Sequence, residues 1–160
     1  MDYVFRPMSP GDLAMVRRWL ETPEVVRWWG EADEQYRRLV SADLDHPDMD
    51  QFIVGLGGHP IGYIQCYGLS TWNGGLGAHP PKTRGIDQFI GEPEMIGRGH
   101  GSSFIRQFVD TLLKSGTPRV VTDPDPDNGR AVRAYAKAGF QRERLVDTPD
   151  GPALLMVRNR

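Results

Sequence analysis

The segment IGRGHGSSFIRQFVDTLLKSG, Ile96 to Gly116, sets the architecture of the chain. Phe104, Ile105, Phe108, Val109, Leu112 and Leu113 recur at i, i+1, i+4, i+5, i+8 and i+9, the pattern of a helix with one buried face. Arg106, Gln107, Asp110 and Lys114 fall on the other side and are expected to face water. Gly97, Gly99 and Gly101 stand just ahead of the stripe. A helix N-terminus exposes N–H groups and the positive end of its dipole. Glycines there let the main chain wrap closely around an anion, and Ser102 and Ser103 add hydroxyl donors. The segment reads as a pyrophosphate cradle; a strand-to-helix turn with glycines for shape alone is the other reading. The usual nucleotide loops do not fit. No Gly-Lys-Ser/Thr follows the glycines, and the turn lies past mid-chain, after a run of antiparallel-looking strands.

Working outward, YVFRP reads as a first strand and SPGDLAMVRRWLE as a helix. Ser9 and Asp12 have capping-box spacing, Pro10 suits the first helical position, and Leu13, Val16 and Leu20 mark one face. PEVVRWWG predicts a short helix or turn, and EADEQYRRLVSADLD a second, more polar helix. DQFIVGL and IGYIQCYGL, joined by GGHP, form a hairpin signature. STWNGGLGAHPPKT is an irregular loop, and RGIDQFIG a buried strand around one carboxylate. Beyond the opening helix come a strand (PRVVTDP), a helix (DNGRAVRAYAKAGF) and two strands about a PDG turn. The order is β-α-α-β-β-β-α-β-α-β-β.

A chain of 160 residues suits one domain, here 1–160, large enough for a core without disulfides. With 25% charged residues and a net charge of -2, nothing suggests a nucleic-acid or membrane partner. A single cysteine, Cys66, cannot form an intramolecular disulfide, the N-terminus has no apolar signal core, and a cytoplasmic location is expected. His46, His59, His79 and His100 show no ligand spacing, so no metal is expected.

The glycine turn and its helix resemble the acyl-coenzyme A loop of the Gcn5-related N-acetyltransferase superfamily, with Ile96 where Gln or Arg is usual. NGRAVRAYAKAGF resembles a second superfamily signature through Asn128, Ala131, Tyr135, Lys137, Gly139 and Phe140. RGIDQ, TDPDPDNGRAVRAYAKAGF and TPDGPALLMV are similar to segments of aminoglycoside 6′-N-acetyltransferases and, less closely, of enzymes acetylating hydroxylysine for siderophores. The resemblance implies an α/β (α+β) fold: a mixed, mostly antiparallel sheet, splayed between the GIDQFIG and RVVTDP strands and flanked by helices. It implies acetyl-coenzyme A as co-substrate, a small polycationic amine as partner, and a monomer or homodimer. Aminoglycosides, another amine such as hydroxylysine or a polyamine, and a non-catalytic acyl-coenzyme A-binding role all stay open.

Acetyl transfer to an amine needs a held thioester, a deprotonated amine (free alkylammonium pKa ~10), a donor for the developing oxyanion and a path for the thiolate. Asp87 is the candidate base. It is the one carboxylate of its apolar strand, and the resemblance assigns it this role; capping a strand end is its structural alternative. Tyr135, two helical turns past Asn128 and on the same face, is the candidate acid, or a core aromatic. Asn128 could cap its helix or touch the pantetheine arm. The resemblance assigns the cofactor to the main chain of Gln88, Phe89 and Ile90, and to the N–H groups of Arg98, Gly99, His100, Gly101, Ser102 and Ser103. A polycation needs carboxylates beyond Asp87. Asp123, Asp125, Asp127, Asp147 and Asp150 crowd the C-terminal turns, and Asp123 and Asp150 match acidic positions of the aminoglycoside enzymes. Trp28 or Trp29 could stack on a sugar, with one of the pair expected inside. Cys66 to Ile86 carries no carboxylate, whereas its counterpart in those enzymes does.

Overall fold

A computed structural model describes residues 2–41 and 46–160, with side chains at all of these but Ser41. The strands are β1 (Tyr3–Pro7), β2 (Met49–Leu56), β3 (His59–Gly68), β4 (Arg84–Ile90), β5 (Arg119–Thr122), β6 (Gln141–Thr148) and β7 (Gly151–Asn159). The helices are α1 (Leu13–Leu20), α2 (Pro23–Trp29), α3 (Ala32–Ser41), α4 (His100–Lys114) and α5 (Gly129–Lys137). PEVVRWWG is thus a helix. The end of the sequence-predicted second helix, residues 42–45, lies outside the described residues. Among the described residues, no helix is long and apolar enough to cross a membrane.

The seven strands run in the order β1-β2-β3-β4-β5-β7-β6. β1–β2, β5–β7 and β6–β7 pair antiparallel, and β4–β5 pair parallel. The β4–β5 ladder joins only Arg84 to Val120 and Gly85 to Val121. One residue on, Ile86 O accepts the Thr122 hydroxyl at 3.2 Å, and the ladder does not reach Gln88–Ile90. β5 itself ends at Thr122, so the ladder is short.

The chain forms two compact units, Met1–Cys66 with Asp87–His100, and Tyr67–Ile86 with Gly101–Arg160. The core of the first unit holds Met8, Val16, Trp19, Leu20, Val25, Leu39, Ile53, Tyr63 and Phe89. The predicted face of α1 accounts for Val16 and Leu20, with Leu13 packed at its edge. In the second unit α4 buries Phe104, Ile105, Phe108, Val109 and Leu113. Arg106 and Lys114 are exposed, but Gln107 and Asp110 are half-buried rather than facing water. Asp110 is drawn in by an ion pair with Arg158 of β7.

Before α1, the Arg6 guanidinium grips Asp12 through two bonds of 2.8 Å, and the Ser9 N–H donates to the same carboxylate at 2.9 Å. These bonds, led by that from Arg6, hold the Asp12 carboxyl down at about 2. Its folded value lies below the ~4 of an unfolded Asp. Its stabilisation is therefore complete above about pH 4 and is lost as pH falls towards 2. Thermal midpoints measured from pH 6 to pH 2 should show wild type above Asp12→Asn at pH 6. The gap should close as pH approaches 2.

Gly91, directly after β4, meets the Trp19 indole: a Cβ there would sit 2.1 Å from the ring. The ring is fixed from both sides, by the Trp19 Nε1–H bond to Glu92 Oε1 at 2.9 Å and by an edge contact with Phe89. Gly91→Ala should therefore cost about 3 kcal/mol. That is a fall of roughly 6–12 °C in thermal midpoint at this chain length.

Candidate active site

Asp87 stands half-buried in β4, between the fully buried Ile86 and the buried Phe89. Gln65 of β3 donates Nε2–H to Asp87 Oδ2 at 3.0 Å. Gln65 in turn accepts the Tyr63 hydroxyl at 2.7 Å, and Tyr63 accepts from Gln51 of β2 at 2.9 Å. The sequence reading missed Gln65 and Tyr63. Their signal was the period of two in β3, which puts positions 63 and 65 on one face.

Trp29, one of the two tryptophans expected to stack, packs edge-on against Phe89 (5.1 Å between centroids) and Tyr63 (6.3 Å). Neither tryptophan is enclosed, contrary to the expectation that one would be. Helix α2 is only 7 residues long; it buries Val25 outright and packs Trp29, half-buried, against the same core. Trp28 is half-buried, donates to Glu24 at 3.2 Å and lies under the Arg27 guanidinium.

Gly97 and Gly99 take left-handed φ angles of 78° and 83°. Nothing lies within 4 Å of where a Cβ would stand at either residue. An open, exposed glycine turn leading into a helix is a cradle that side chains would fill, and it suits a phosphate group. Helix α4 begins at His100, so Gly101, Ser102 and Ser103 form its first turn instead of preceding it. The first N–H groups of a helix have no carbonyl one turn earlier in the helix to bond. His100 is buried, with Nδ1 2.8 Å from the Tyr3 hydroxyl. Its side chain is thus turned into the protein, whereas Arg98 and Ser103 are exposed.

The remaining candidates belong to the second unit. Asn128 caps α5, its Oδ1 accepting the Ala131 N–H at 3.2 Å. Tyr135 is buried on the inner face of that helix, 5.6 Å from the Phe140 ring and edge-on to it. Asp123 is half-buried just past β5. The next residue, Pro124, accepts the Leu154 N–H at 2.9 Å, which sets this turn against β7. Asp150 is exposed in the β6–β7 turn, where Thr148 Oγ1 accepts its N–H at 3.2 Å. The carboxylate-free loop is seated on the same hairpin. Leu76 is buried, and a Cβ on Gly75 would stand 2.6 Å from Asp147 O. Among the described residues, no three His, Cys, Asp or Glu side chains group to hold a metal ion.

Residues 9–148 match the acetyltransferase (GNAT) domain family. The chain is 39% identical, over 97% of its length and 82% of the relative's, to aminoglycoside N(6′)-acetyltransferase type 1 of Klebsiella pneumoniae. Aminoglycoside acetyltransferase AAC(6′)-Ib, solved with coenzyme A, superposes with a TM-score of 0.88 at 36% identity, covering 99% of this chain and 95% of that one. The same enzyme with ribostamycin and coenzyme A gives 0.89 at 36% identity, over 100% and 94% of the two chains. The chain belongs to the GNAT acetyltransferase family and is an acetyl-coenzyme A-dependent transferase.

Proposed function

We propose that the chain works as a single catalytic domain that acetylates the 6′-amine of an aminoglycoside, with Asp87 as the group that handles the amine's proton. The observation that carries this reading is one half-buried carboxylate on β4, in a chain 39% identical to an aminoglycoside N(6′)-acetyltransferase. At neutral pH a free alkylammonium of pKa ~10 is almost wholly protonated. Asp87 holds the ammonium and passes its proton to water as the nitrogen turns nucleophilic. Acetyl-coenzyme A supplies an activated acyl group as its thioester. Its pyrophosphate would lie on the N–H groups from Arg98 to Ser103. The main chain of Gln88, Phe89 and Ile90 would hold the pantetheine arm and face the charge developing on the acyl oxygen. Tyr135 would protonate the departing thiolate, and Asn128 would flank the arm besides capping α5. Trp28 and Trp29 offer stacking faces to a sugar, and Asp123 and Asp150 offer charge to its other amines.

A second reading, an amine carrying fewer charges, draws on the absence of any carboxylate from residue 51 to 86. Release of coenzyme A, followed across aminoglycosides with and without a 6′-amine, polyamines and hydroxylysine, separates the two. The first reading requires the highest kcat/KM on 6′-amine aminoglycosides, with product acetylated at that nitrogen. A higher kcat/KM on a mono- or diamine establishes the second. Acetyl-coenzyme A binding with no release on any amine would overturn both in favour of a non-catalytic role.

A further inference from the structure

We infer that Gln65 and Tyr63 are positioning residues for Asp87, the downstream part of a one-way hydrogen-bond relay that begins at helix α3. The inference rests on the reading of Asp87 as the group that handles the amine's proton. Every member lies in the first compact unit. Gln51 Nε2 donates both to the carbonyl of Leu39, in the last turn of α3, at 3.2 Å and to Tyr63 Oη at 2.9 Å. The Tyr63 hydroxyl donates to Gln65 Oε1 at 2.7 Å, and Gln65 Nε2 donates to Asp87 Oδ2 at 3.0 Å.

The donor directions are forced from both ends. A backbone carbonyl only accepts, so Gln51 must turn its NH2 towards Leu39, and its second N–H then meets Tyr63. Tyr63 has one proton, which goes onward. A carboxylate also only accepts, so Gln65 must turn its NH2 towards Asp87 and its oxygen towards Tyr63. Both ends demand the same orientation throughout, and hydrogen bonds aligned in this way polarise one another.

The middle of the relay is rigid. Tyr63 is fully buried, stacked on Phe89 at 5.3 Å and 22°, and edge-on to Trp29. Its hydroxyl position is therefore set by ring packing. Gln51 is buried, and its Oε1 has no protein partner among the described residues. An orphaned carboxamide oxygen is costly, which points to the NH2 end as the reason for a glutamine at this position. Asp87 Oδ2 is thereby committed to Gln65, and the carboxylate is held in one orientation on a strand whose ladder with β5 has already ended.

The test uses the full chain and the best amine from the release screen. The variants are Tyr63→Phe, Gln65→Ala, the two combined, Gln65→Glu, and Asp87→Asn as reference. Thermal midpoint and calorimetric acetyl-coenzyme A affinity accompany each rate. Tyr63→Phe and Gln65→Ala should each lower kcat by about 10- to 100-fold, the range for a misplaced reacting group. Acetyl-coenzyme A affinity should stay within about twofold. The double variant should be no slower than Gln65→Ala alone, because Tyr63 acts through Gln65. Gln65→Glu keeps the shape and sets two carboxyl groups side by side, where they share a proton. The acidic limb of its kcat/KM profile should move up by about one pH unit or more, with activity recovering at higher pH.

Wild-type turnover in Gln65→Ala, additive losses in the double variant, or a Gln65→Glu profile that superposes on wild type would overturn the relay. Should Tyr63→Phe unfold, the near-isosteric Gln65→Glu decides alone. An inactive Asp87→Asn beside fully active relay variants sinks the relay but leaves Asp87 its role. A fully active Asp87→Asn removes both.

Discussion

Asp87→Asn should keep its affinity for acetyl-coenzyme A and lose about 10²–10⁴-fold in turnover, the usual cost of removing a general base. The substitution changes almost no volume. The new carboxamide can still present an oxygen to Gln65 Nε2, which stands 3.0 Å from Asp87 Oδ2 in the wild type, so the fold and the relay survive. What changes is the other end of the group. A carboxylate offers an acceptor and a negative charge to an incoming ammonium, whereas an amide turns a donor towards it. The defect must shrink as pH rises, because more of the amine then arrives already neutral. Turnover from pH 6 to pH 10, with calorimetric cofactor affinity at each end, checks both halves. Wild-type rates across that range would make Asp87 a structural strand residue.

Much of the scaffold was legible because it follows from periodicity. The stripe from Phe104 to Leu113 is buried as its spacing requires, with Leu112 half-buried at its margin. Gln107 and Asp110 escaped the same logic because water is only the default for a polar helix position. Arg158 lies 48 residues from Asp110, and no local pattern announces their ion pair. The tryptophans failed for a related reason. An adjacent pair on a helix points about 100° apart, so one inward ring was a fair expectation. Val25 takes the fully buried position instead, with Trp29 half-buried against the same core and Trp28 half-buried beside Glu24 and Arg27.

The site divides in the same way. Asp87 could be read directly, since a lone acid among Ile86, Phe89 and Ile90 breaks an apolar run. Gln65 could not. It is 22 residues from Asp87 on a different strand, and only the register of β3 against β4 brings the two together. The early end of the β4–β5 ladder was likewise invisible in composition. It entered as an implication of family resemblance, and the pairing of only Arg84 and Gly85 with β5 gives it physical form. Asn128 was left between capping and cofactor contact; its bond to Ala131 accounts for the cap, and the second role still rests on function.

The glycine turn gives the sharpest separation of folding from binding, through Gly101→Asp. Gly101 is the second residue of α4, in the first turn of a 15-residue helix. A negative side chain at that place interacts favourably with the helix dipole, by about 0.3–1 kcal/mol, and Asp is a better helix former than Gly. The fold should therefore be no less stable, and the thermal midpoint should hold or rise. The same charge faces the site proposed for a pyrophosphate. Two unit charges 4 Å apart repel by about 4 kcal/mol near a protein surface. Salt and solvent reduce that figure, so a loss of about 10²-fold in acetyl-coenzyme A affinity is expected, smaller at high ionic strength. Gly101→Asn adds nearly the same bulk without the charge and should lose about tenfold or less. Calorimetric titration of the three proteins with acetyl-coenzyme A, at two salt concentrations, decides the matter. Equal weakening by Asn and Asp would assign the effect to bulk. Undiminished binding by Gly101→Asp would mean that the first turn of α4 does not carry the pyrophosphate, and that the open glycines at 97 and 99 shape a turn for some other purpose.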